Sequence, residues 1–306
     1  MLRESITKLK KSRFSLDTLL LRFWGVRGSI PTPGRSTLKH GGNTSCIEIR
    51  WKDTIIALDA GTGIRGLGAH LSREFRSRPI DLTLLLTHTH WDHIQGFPFF
   101  RPAYEAKNRI RVMGGRGAQR GIGGSLSDQM ESPFFPVGLR DLPSAISIKP
   151  LPAGSFRIGE VTVSSIRVNH PGFCVGYRLS TPAGSVAYFP DNELARRLTP
   201  EQGKVVLSDE KLTRFLDGVD LLVMDTQYDR ASYSRHVGWG HGCLDDVVEL
   251  AGVARVGHLF LFHHDPEHGD AKIESMLRRA RRQAAMRGDT LKISAACEGD
   301  SVRLKA

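Results

Sequence analysis

The sequence predicts an α/β protein, in the broad sense that includes α+β, built as a four-layer αβ/βα sandwich in which two facing sheets carry helices on their outer sides. Apolar runs bounded by turn residues recur in both halves of the chain, with amphipathic helical stretches between them. The run 82–86 is apolar at nearly every position, as is typical of a strand buried on both faces. Because such strands hold the following residues in place, a functional site is expected at strand ends.

The first half of the chain predicts four strands and one helix. Glycines at 41–42 and Asp53 separate the early strands, and the segment 61–63 ends the third strand and leads into a helix through about Ser72. The expected strands are 21–26, 46–51, 54–59 and 82–86. The glycine-rich stretch 114–124 matches no nucleotide-binding fingerprint, so we expect a mobile surface loop there.

The second half predicts an antiparallel meander followed by alternating strands and helices. The meander strands are 145–150, 161–168, 173–180 and 185–189. After them we expect a strand at 219–225, a helix at 244–254, a strand at 258–262, a helix at 267–286 and a last strand at 301–305.

The chain is expected to form one large domain, 21–306, preceded by an extension, 1–20. A chain of 306 residues with 40% hydrophobic content can bury a sizeable core, and no linker of low complexity interrupts it. The four cysteines lie far apart, which indicates free thiols in a reducing compartment. No stretch has the length of a membrane span or of a signal-peptide core, so we expect a cytoplasmic protein that makes no membrane contact.

Basic residues exceed acidic ones, with a formal net charge of +11. Such a surface attracts anions, and phosphate-bearing substrates fit this charge. The basic residues are scattered and no nucleic-acid recognition motif accompanies them, so nucleic acid is an open but less favoured partner. A homodimer also remains open.

The segment 87–93 places His88, His90, Asp92 and His93 directly after the apolar strand. Side chains alternate along extended backbone, so His88 and His90 point the same way and can share one ion. Asp92 and His93 follow where the chain turns, and they can face a second ion. Nitrogen and carboxylate donors this close together need a divalent cation to compensate them.

This stretch resembles the second motif of the metallo-β-lactamase superfamily, and further pieces of the chain match that family in the same order. A histidine, an aspartate and another histidine follow later strands: His170, Asp191 and one of the pair His263 and His264. Asp59 fits the first motif, an aspartate that supports the ligand loop without binding metal. The resemblance covers the chain from about residue 21 onward and implies a hydrolase domain of the same four-layer fold.

The resemblance implies two divalent metal ions. One ion would be held by His88, His90 and His170, the other by Asp92, His93 and His263, with Asp191 as the bridge. Imidazole and carboxylate donors without thiolate suit zinc, with manganese as the alternative. Two such ions would act as Lewis acids and would share a hydroxide. His263 is preferred to His264 by analogy with the family, in which the ligand is the first residue past the strand. Only one of the two is expected to face the metals, because neighbouring residues on extended backbone point opposite ways.

The stretch 238–251 resembles a motif of the phosphodiesterase branch of the family, in which a histidine contacts the scissile phosphate. His241 matches that histidine, although Gly242 and Cys243 stand where the motif has hydroxyl residues. A loop histidine at the start of the following helix is the structural alternative. Asp92 and His241 are therefore the predicted catalytic residues.

The expected activity is hydrolysis of a small phosphodiester such as a cyclic nucleotide. One alternative is a tRNA 3′-end endonuclease, whose usual tRNA-binding arm has no room in the short segment between His170 and Asp191. A thioester or lactone hydrolase on the same metals is another. A di-iron redox protein is disfavoured by His90, and a binding scaffold is disfavoured because every expected ligand is present.

Overall fold

The computed structural model describes residues 17–115, 121–198 and 205–306, and these form two seven-stranded sheets. The first sheet consists of β1 (Thr18–Gly25), β2 (Cys46–Trp51), β3 (Thr54–Leu58), β4 (Asp81–Leu86), β5 (Arg109–Gly114), β6 (Ala145–Pro150) and, from the chain end, β14 (Ser301–Lys305). The second consists of β7 (Phe156–Ile158), β8 (Val161–Arg167), β9 (Val175–Thr181), β10 (Gly184–Phe189), β11 (Leu221–Asp225), β12 (His258–Phe262) and β13 (Lys292–Ala295). Their spatial orders are β14-β1-β2-β3-β4-β5-β6 and β13-β12-β11-β10-β9-β8-β7.

Helices cover the outer face of each sheet. On the first sheet lie α1 (Gly63–Phe75) and α3 (Gly121–Asp128), and on the second lie α4 (Asp209–Leu216), α6 (Leu244–Val253) and α7 (Asp270–Met286). Two short helices, α2 (Trp91–Ile94) and α5 (Arg230–Tyr233), lie in the loops. Single 3-10 turns occur at Arg35–Thr37, Phe97–Phe99, Arg101–Tyr104, Leu139–Asp141 and Ala195–Arg197. None of the helices in the described ranges has both the length and the hydropathy that crossing a bilayer requires.

Three apolar cores hold the four layers together. The central core lies between the sheets and includes Leu21, Phe23 and Tyr188, all fully buried. The outer cores pack each sheet against its own helices, around residues such as Leu67 of α1 and Val248 of α6. This arrangement confirms the predicted four-layer sandwich, and it arises because strands apolar on both faces must be covered on both.

Strand β6 corrects one prediction. We expected 145–150 to open the antiparallel meander, but β6 pairs in parallel with β5 at the edge of the first sheet. Helix α3 lies in the connection between the two strands, and a crossover through a helix brings the next strand in parallel to the last. Alternation along 145–150 predicts a strand but does not identify its neighbour.

The first and last described strands are neighbours in the first sheet. Strand β1 begins at Thr18, ahead of the expected domain start at residue 21, and Leu19 and Leu20 are fully buried in it. It pairs with β14, which was predicted as the last strand. Most of the predicted extension 1–20 lies outside the described residues. The predicted glycine-rich loop does so in part, and its later section opens α3.

Candidate metal centre

Six strand ends meet at one edge of the sandwich. In the first sheet β3 and β4 run in parallel, so their carboxyl ends open on the same side. In the second sheet β10, β11 and β12 run in parallel, and β8 shares their direction because both β8 and β10 are antiparallel to β9. Two hydrogen bonds join the sheets here, from Tyr177 Oη to the Leu86 carbonyl at 2.6 Å and from Tyr188 Oη to Asp59 at 2.9 Å. The side chains that follow these strands are Asp59, His88, His90, Asp92, His93, His170, Asp191, Asp225 and His263.

The first cluster consists of His88, His90 and His170, whose ligand-type atoms lie within 4.8 Å of one another. Nδ1 of His170 lies 3.0 Å from the Gly240 carbonyl and therefore carries the proton, which leaves a lone pair on Nε2. That Nε2 lies 3.0 Å from Nδ1 of His90. Burial is the main cause that lowers the pKa of His170 to about 4, so the ring is neutral at pH 7.

His88 presents an unpaired nitrogen to the same place. The Thr87 hydroxyl donates its proton to Asp59, so it accepts from Nδ1 of His88 at 3.1 Å. Nε2 of His88 then carries a lone pair, and this atom is buried without a hydrogen-bond partner among the described residues. Burial, together with neighbouring histidines, holds the pKa of His88 well below its ordinary value. A buried neutral nitrogen with nothing to bind fits a metal ligand.

The second cluster combines Asp92, His93 and His263. Nδ1 of His93 donates to Asp59 at 2.8 Å, and Nδ1 of His263 donates to the Gln227 side-chain oxygen at 3.0 Å. Both Nε2 atoms therefore face carboxylate oxygens: they lie 3.2 Å and 3.1 Å from Oδ2 of Asp92. A nitrogen lone pair and a carboxylate oxygen repel each other unless a positive charge lies between them.

Asp191 lies between the two clusters. Its Oδ2 is 2.9 Å from Nε2 of His93 and 4.0 Å from Nδ1 of His88, while Oδ1 is 3.2 Å from Nε2 of His263. This carboxylate is 1% exposed, and Oδ2 has no hydrogen-bond partner within the described part of the chain. A carboxylate that touches both clusters has the position required of a bridge between two ions.

The pKa shifts of His93, Asp92 and Asp191 show that positive charge is favoured at this centre. Burial alone would lower the pKa of His93, but the carboxylates of Asp92, Asp191 and Asp59 raise it well above its ordinary value. The surrounding histidines outweigh burial at Asp92 and Asp191 and hold both carboxyl pKa values well below normal. A positive charge at these nitrogens is thus strongly favoured, and the donor set of imidazole and carboxylate suits a divalent cation.

Asp59 orients this centre from outside the two clusters. Besides His93 it accepts hydrogen bonds from the Thr87 amide at 2.7 Å and from Tyr188 Oη at 2.9 Å. Its backbone takes a positive φ of 60°, which is uncommon for a residue other than glycine. The side chain is fully buried and saturated with donors. It therefore supports the ligand loop, as the sequence predicted.

His264 points away from the clusters. Its Nε2 lies 3.0 Å from the Ala296 carbonyl, and its ring packs edge-on against His40 at 5.6 Å. His263 turns towards the centre through a positive φ of 57°. A Cβ built on Gly28 would lie 2.4 Å from Nδ1 of His263, so only glycine leaves room for that ring.

His241 lies beside the second cluster. Nδ1 of this histidine is 2.9 Å from Oδ2 of Asp225 and 3.3 Å from Oδ1 of Asp191. Its ring stacks on that of His263 at 5.1 Å and meets His170 edge-on at 5.3 Å, so it borders both clusters. Burial would lower its pKa, but the Asp225 and Asp191 carboxylates outweigh burial and raise it to about 9.

Three residues of this site were missed in the sequence. Asp225 ends β11 just as Asp59 follows β3, and this shared position after a buried apolar strand was the available signal. Gln227 orients His263. Glu193 accepts hydrogen bonds from the amides of Gly238 and Gly240 at 3.0 Å and 2.9 Å, and so fixes the loop that carries His241. Neither polar residue stands out in a local pattern.

A four-layer sandwich with two adjoining histidine and carboxylate clusters at its strand ends defines a metal-dependent hydrolase. Residues 54–264 match the family model described as the beta-lactamase superfamily domain, which is more than half of the chain. The chain belongs to this superfamily and has its metallo-β-lactamase fold.

Individual relatives agree with this membership. The ribonuclease Z of Thermoplasma acidophilum is 24% identical over 297 residues, which cover 85% of this chain and 90% of the relative. The metallo-beta-lactamase fold protein YhfI from Bacillus subtilis superposes with a TM-score of 0.67 at 15% identity, over 94% of this chain and 99% of that one. A diphosphatase from the PhnP family gives a TM-score of 0.65 at 17% identity, over 93% and 97%. Both structures share the fold of this chain.

Proposed function

We propose that this protein is a binuclear phosphodiesterase that hydrolyses a small cyclic phosphodiester such as a cyclic nucleotide. The observation that carries the proposal is the position of His241, whose ring borders both clusters while Asp225 holds its Nδ1. That hydrogen bond leaves Nε2 to reach a substrate oxygen. Hydrolysis of a phosphodiester needs such a donor beside the metals, because the leaving oxygen must gain a proton.

In this proposal the two clusters hold two divalent ions, with zinc favoured and manganese as the alternative. The proposed ligands are His88, His90 and His170 for one ion, Asp92, His93 and His263 for the other, and Asp191 between them. Two such ions would supply Lewis acidity and would lower the pKa of a water molecule at the site. The buried lone pair of His88 and the paired nitrogens of His90 and His170 support the first set.

Asp92 and His241 are the proposed catalytic residues of the chain. Asp92 accepts a hydrogen bond from the Ser29 amide at 2.8 Å, and its lowered pKa keeps the carboxylate ionised, so it would help hold a metal ion and orient the attacking water by accepting a hydrogen bond from it. The Asp225 and Asp191 carboxylates keep the His241 ring protonated on both nitrogens, so Nδ1–H stays bonded to Asp225 while Nε2–H is donated to the leaving oxygen. The protonated ring also stabilises negative charge that develops on the phosphoryl group.

The surroundings of the site support a small substrate. The segment 170–191, which the structure describes completely, contains only the hairpin of β9 and β10 and no protruding arm. A cavity of about 480 Å³ opens beside His170 and is lined by Arg167, Asn169 and Glu193 among others. Cavities of this size suit small-molecule ligands. Arg167 supplies a cation for a phosphate.

The alternative substrate is the 3′ end of an RNA. The ribonuclease Z of Thermoplasma acidophilum aligns with most of this chain, and the net charge of +11 favours a polyanion. Without an arm between His170 and Asp191, an RNA would have to bind by another surface. We therefore place this function second.

One set of assays distinguishes the two candidate functions. Zinc-loaded protein is offered 2′,3′- and 3′,5′-cyclic nucleotides and, separately, a tRNA precursor with a 3′ extension. The proposal predicts turnover of a cyclic nucleotide that falls about 100-fold or more in His241→Ala, and little change in His236→Ala, since His236 lies in the same loop with Nδ1 bonded to the Ser232 carbonyl. Efficient cleavage of the RNA with inert cyclic nucleotides would favour the alternative, and full activity of His241→Ala would overturn the assigned role.

A further inference from the structure

A second group of reactive side chains lies behind the metal centre. It joins three distant segments: His40 from the loop after Arg35–Thr37, Glu274 from the start of α7, and Cys297 from the turn after β13. Nδ1 of His40 lies 3.1 Å from Sγ of Cys297, and Nε2 lies 3.1 Å from Oε1 of Glu274. We propose that Cys297 is a modification site, in which His40 acts as general base and Glu274 positions it for attack of the thiol on a peroxide.

The proton positions follow from the partners. Lys39 lies 2.7 Å from Glu274, and its hydrogen bond is the main cause that lowers the pKa of this carboxyl, so Glu274 is ionised and can only accept. Nε2 of His40 must therefore carry a proton. In the neutral ring Nδ1 then carries a lone pair, and it lies nearer to the Cys297 thiol, at 3.1 Å, than to the Ala296 carbonyl, at 3.4 Å. This is the order of nucleophile, base and orienting acid that activates a weak nucleophile.

The histidine is fixed in this orientation. Its ring is 1% exposed, and Oδ1 of Asp270 accepts from its backbone amide at 3.1 Å. Cys297 differs from the other three cysteines, because Cys46, Cys174 and Cys243 are buried and Cys297 is partly exposed. Sγ of the buried Cys174 lies 3.6 Å from Nδ1 of His88, so Cys297 is distinguished by having both a closer histidine nitrogen and partial exposure.

The charges around the thiol select the electrophile. Asp300, Glu274 and Asp270 lie near Cys297 with Lys39 as the opposing cation, and burial with these carboxylates raises the thiol pKa to about 11. Such surroundings disfavour an anionic disulfide and admit a small neutral oxidant. They also keep the thiol protonated at pH 7, so reaction depends on proton removal by His40 rather than on a standing thiolate.

The reaction with hydrogen peroxide balances with these residues. His40 Nδ1 takes the thiol proton while sulfur attacks one peroxide oxygen, so an S–O bond forms and the O–O bond breaks. The leaving hydroxide takes the proton from Nδ1 and departs as water. Sulfur is oxidised to a sulfenic acid, and the peroxide is reduced.

The experiment uses the full chain loaded with zinc. Dilute hydrogen peroxide is added with dimedone, and peptide mass spectrometry follows labelling of each cysteine over time. We expect Cys297 to be labelled at least about tenfold faster than the three buried thiols, and His40→Asn to lose at least about tenfold in this rate. His258→Asn is the matched control, a buried histidine bonded to Ser294 on the adjacent strand, and it keeps the wild-type rate.

Two further measurements separate a base from a structural role. In His40→Asn the labelling rate should rise about tenfold per pH unit between pH 7 and 9, as for an unassisted thiol. In the wild type it should level off, because the base is a side chain rather than hydroxide. If His40→Asn fails to fold, Glu274→Gln provides the same test with a smaller expected loss. Labelling of Cys297 no faster than the buried thiols, or an unchanged rate and slope in a folded variant, would overturn the proposal.

Discussion

Oδ2 of Asp225 accepts a hydrogen bond from Nδ1 of His241 at 2.9 Å, at a position where the aspartate is completely buried. Burial raises the pKa of Asp225, while this carboxylate and Asp191 raise the pKa of His241 to about 9. A proton is therefore retained in the hydrogen bond between Asp225 and His241. The pair fixes the orientation of the ring and keeps it able to donate.

The first prediction concerns this pair. Asp225→Asn should lower kcat for a phosphodiester by about 100-fold, because a neutral amide no longer stabilises the positive charge of the protonated His241 ring. KM and bound metal should change little, as measured by steady-state kinetics and elemental analysis. Asp220→Asn is the control, since Asp220 precedes the same strand and its carboxylate accepts hydrogen bonds from Ser185, away from the clusters. Equal activity of Asp225→Asn and wild type would remove the aspartate from the mechanism.

The second prediction distinguishes two adjacent histidines. His263→Ala should reduce the bound metal towards one ion, because Nε2 of His263 faces Asp92 and Asp191. His264→Ala should retain both ions and lose stability instead, since its Nε2 binds the Ala296 carbonyl. Elemental analysis of the folded fraction measures the number of ions bound by each variant. The reverse pattern would make His264 the ligand.

The third prediction tests the close packing behind His263. Gly28→Ala should displace the His263 ring, because the new Cβ would lie 2.4 Å from Nδ1, and activity should fall at least about tenfold. Gly34→Ala serves as the matched control in the same loop, as no described atom lies within 4 Å of its built Cβ. A Gly28→Ala variant as active as Gly34→Ala would show that the ring has room to move.

A fourth prediction concerns pH and the first sheet. Burial would raise the pKa of Glu74, but hydrogen bonds from His70 and from Nη1 and Nη2 of Arg50, both at 2.7 Å, lower it to about 2. Because the folded-state pKa is depressed, its contribution is present above the unfolded value near 4.5 and is lost as pH falls towards 2.

Glu74→Gln should therefore cost about 1 kcal/mol at pH 7, after allowance for solvent screening at this half-buried site, and less than half of that at pH 3. Urea unfolding of the metal-free proteins measures both values. Glu160→Gln, at an exposed pair with Lys52, should change neither. A cost for Glu74→Gln that stays constant from pH 7 to pH 3 would contradict the assigned ion pair.

The layers of the fold and the candidate centre were predictable because they depend on local patterns. An apolar strand such as β4, followed by closely spaced ligand-type residues, indicates a metal site without any knowledge of the tertiary structure. The aspartates and histidines at later strand ends indicate further ligands in the same way. Strand pairing was not predictable in the same way. The alternating pattern of β6 is compatible with either sheet, and the parallel neighbour β5 was not recognised as a strand at all.

Contacts between distant segments were also outside the reach of sequence patterns. Asp225 and His241 meet because β11 and the loop before α6 are brought together by the second sheet. His40 and Cys297 are 257 positions apart and meet only through the packing of α7 and β13. No spacing rule predicts such a pair, since the chain between them forms most of the domain.

The most direct test of the central claim measures metal content together with hydrolysis. Metal-free protein is titrated with zinc, and in parallel with manganese, while cleavage of bis(p-nitrophenyl) phosphate is followed. The account predicts that activity reaches its plateau at two ions per chain and is abolished in Asp92→Asn. Two bound ions without any phosphodiester cleavage, or an Asp92→Asn variant that turns over normally at equal metal content, would contradict it.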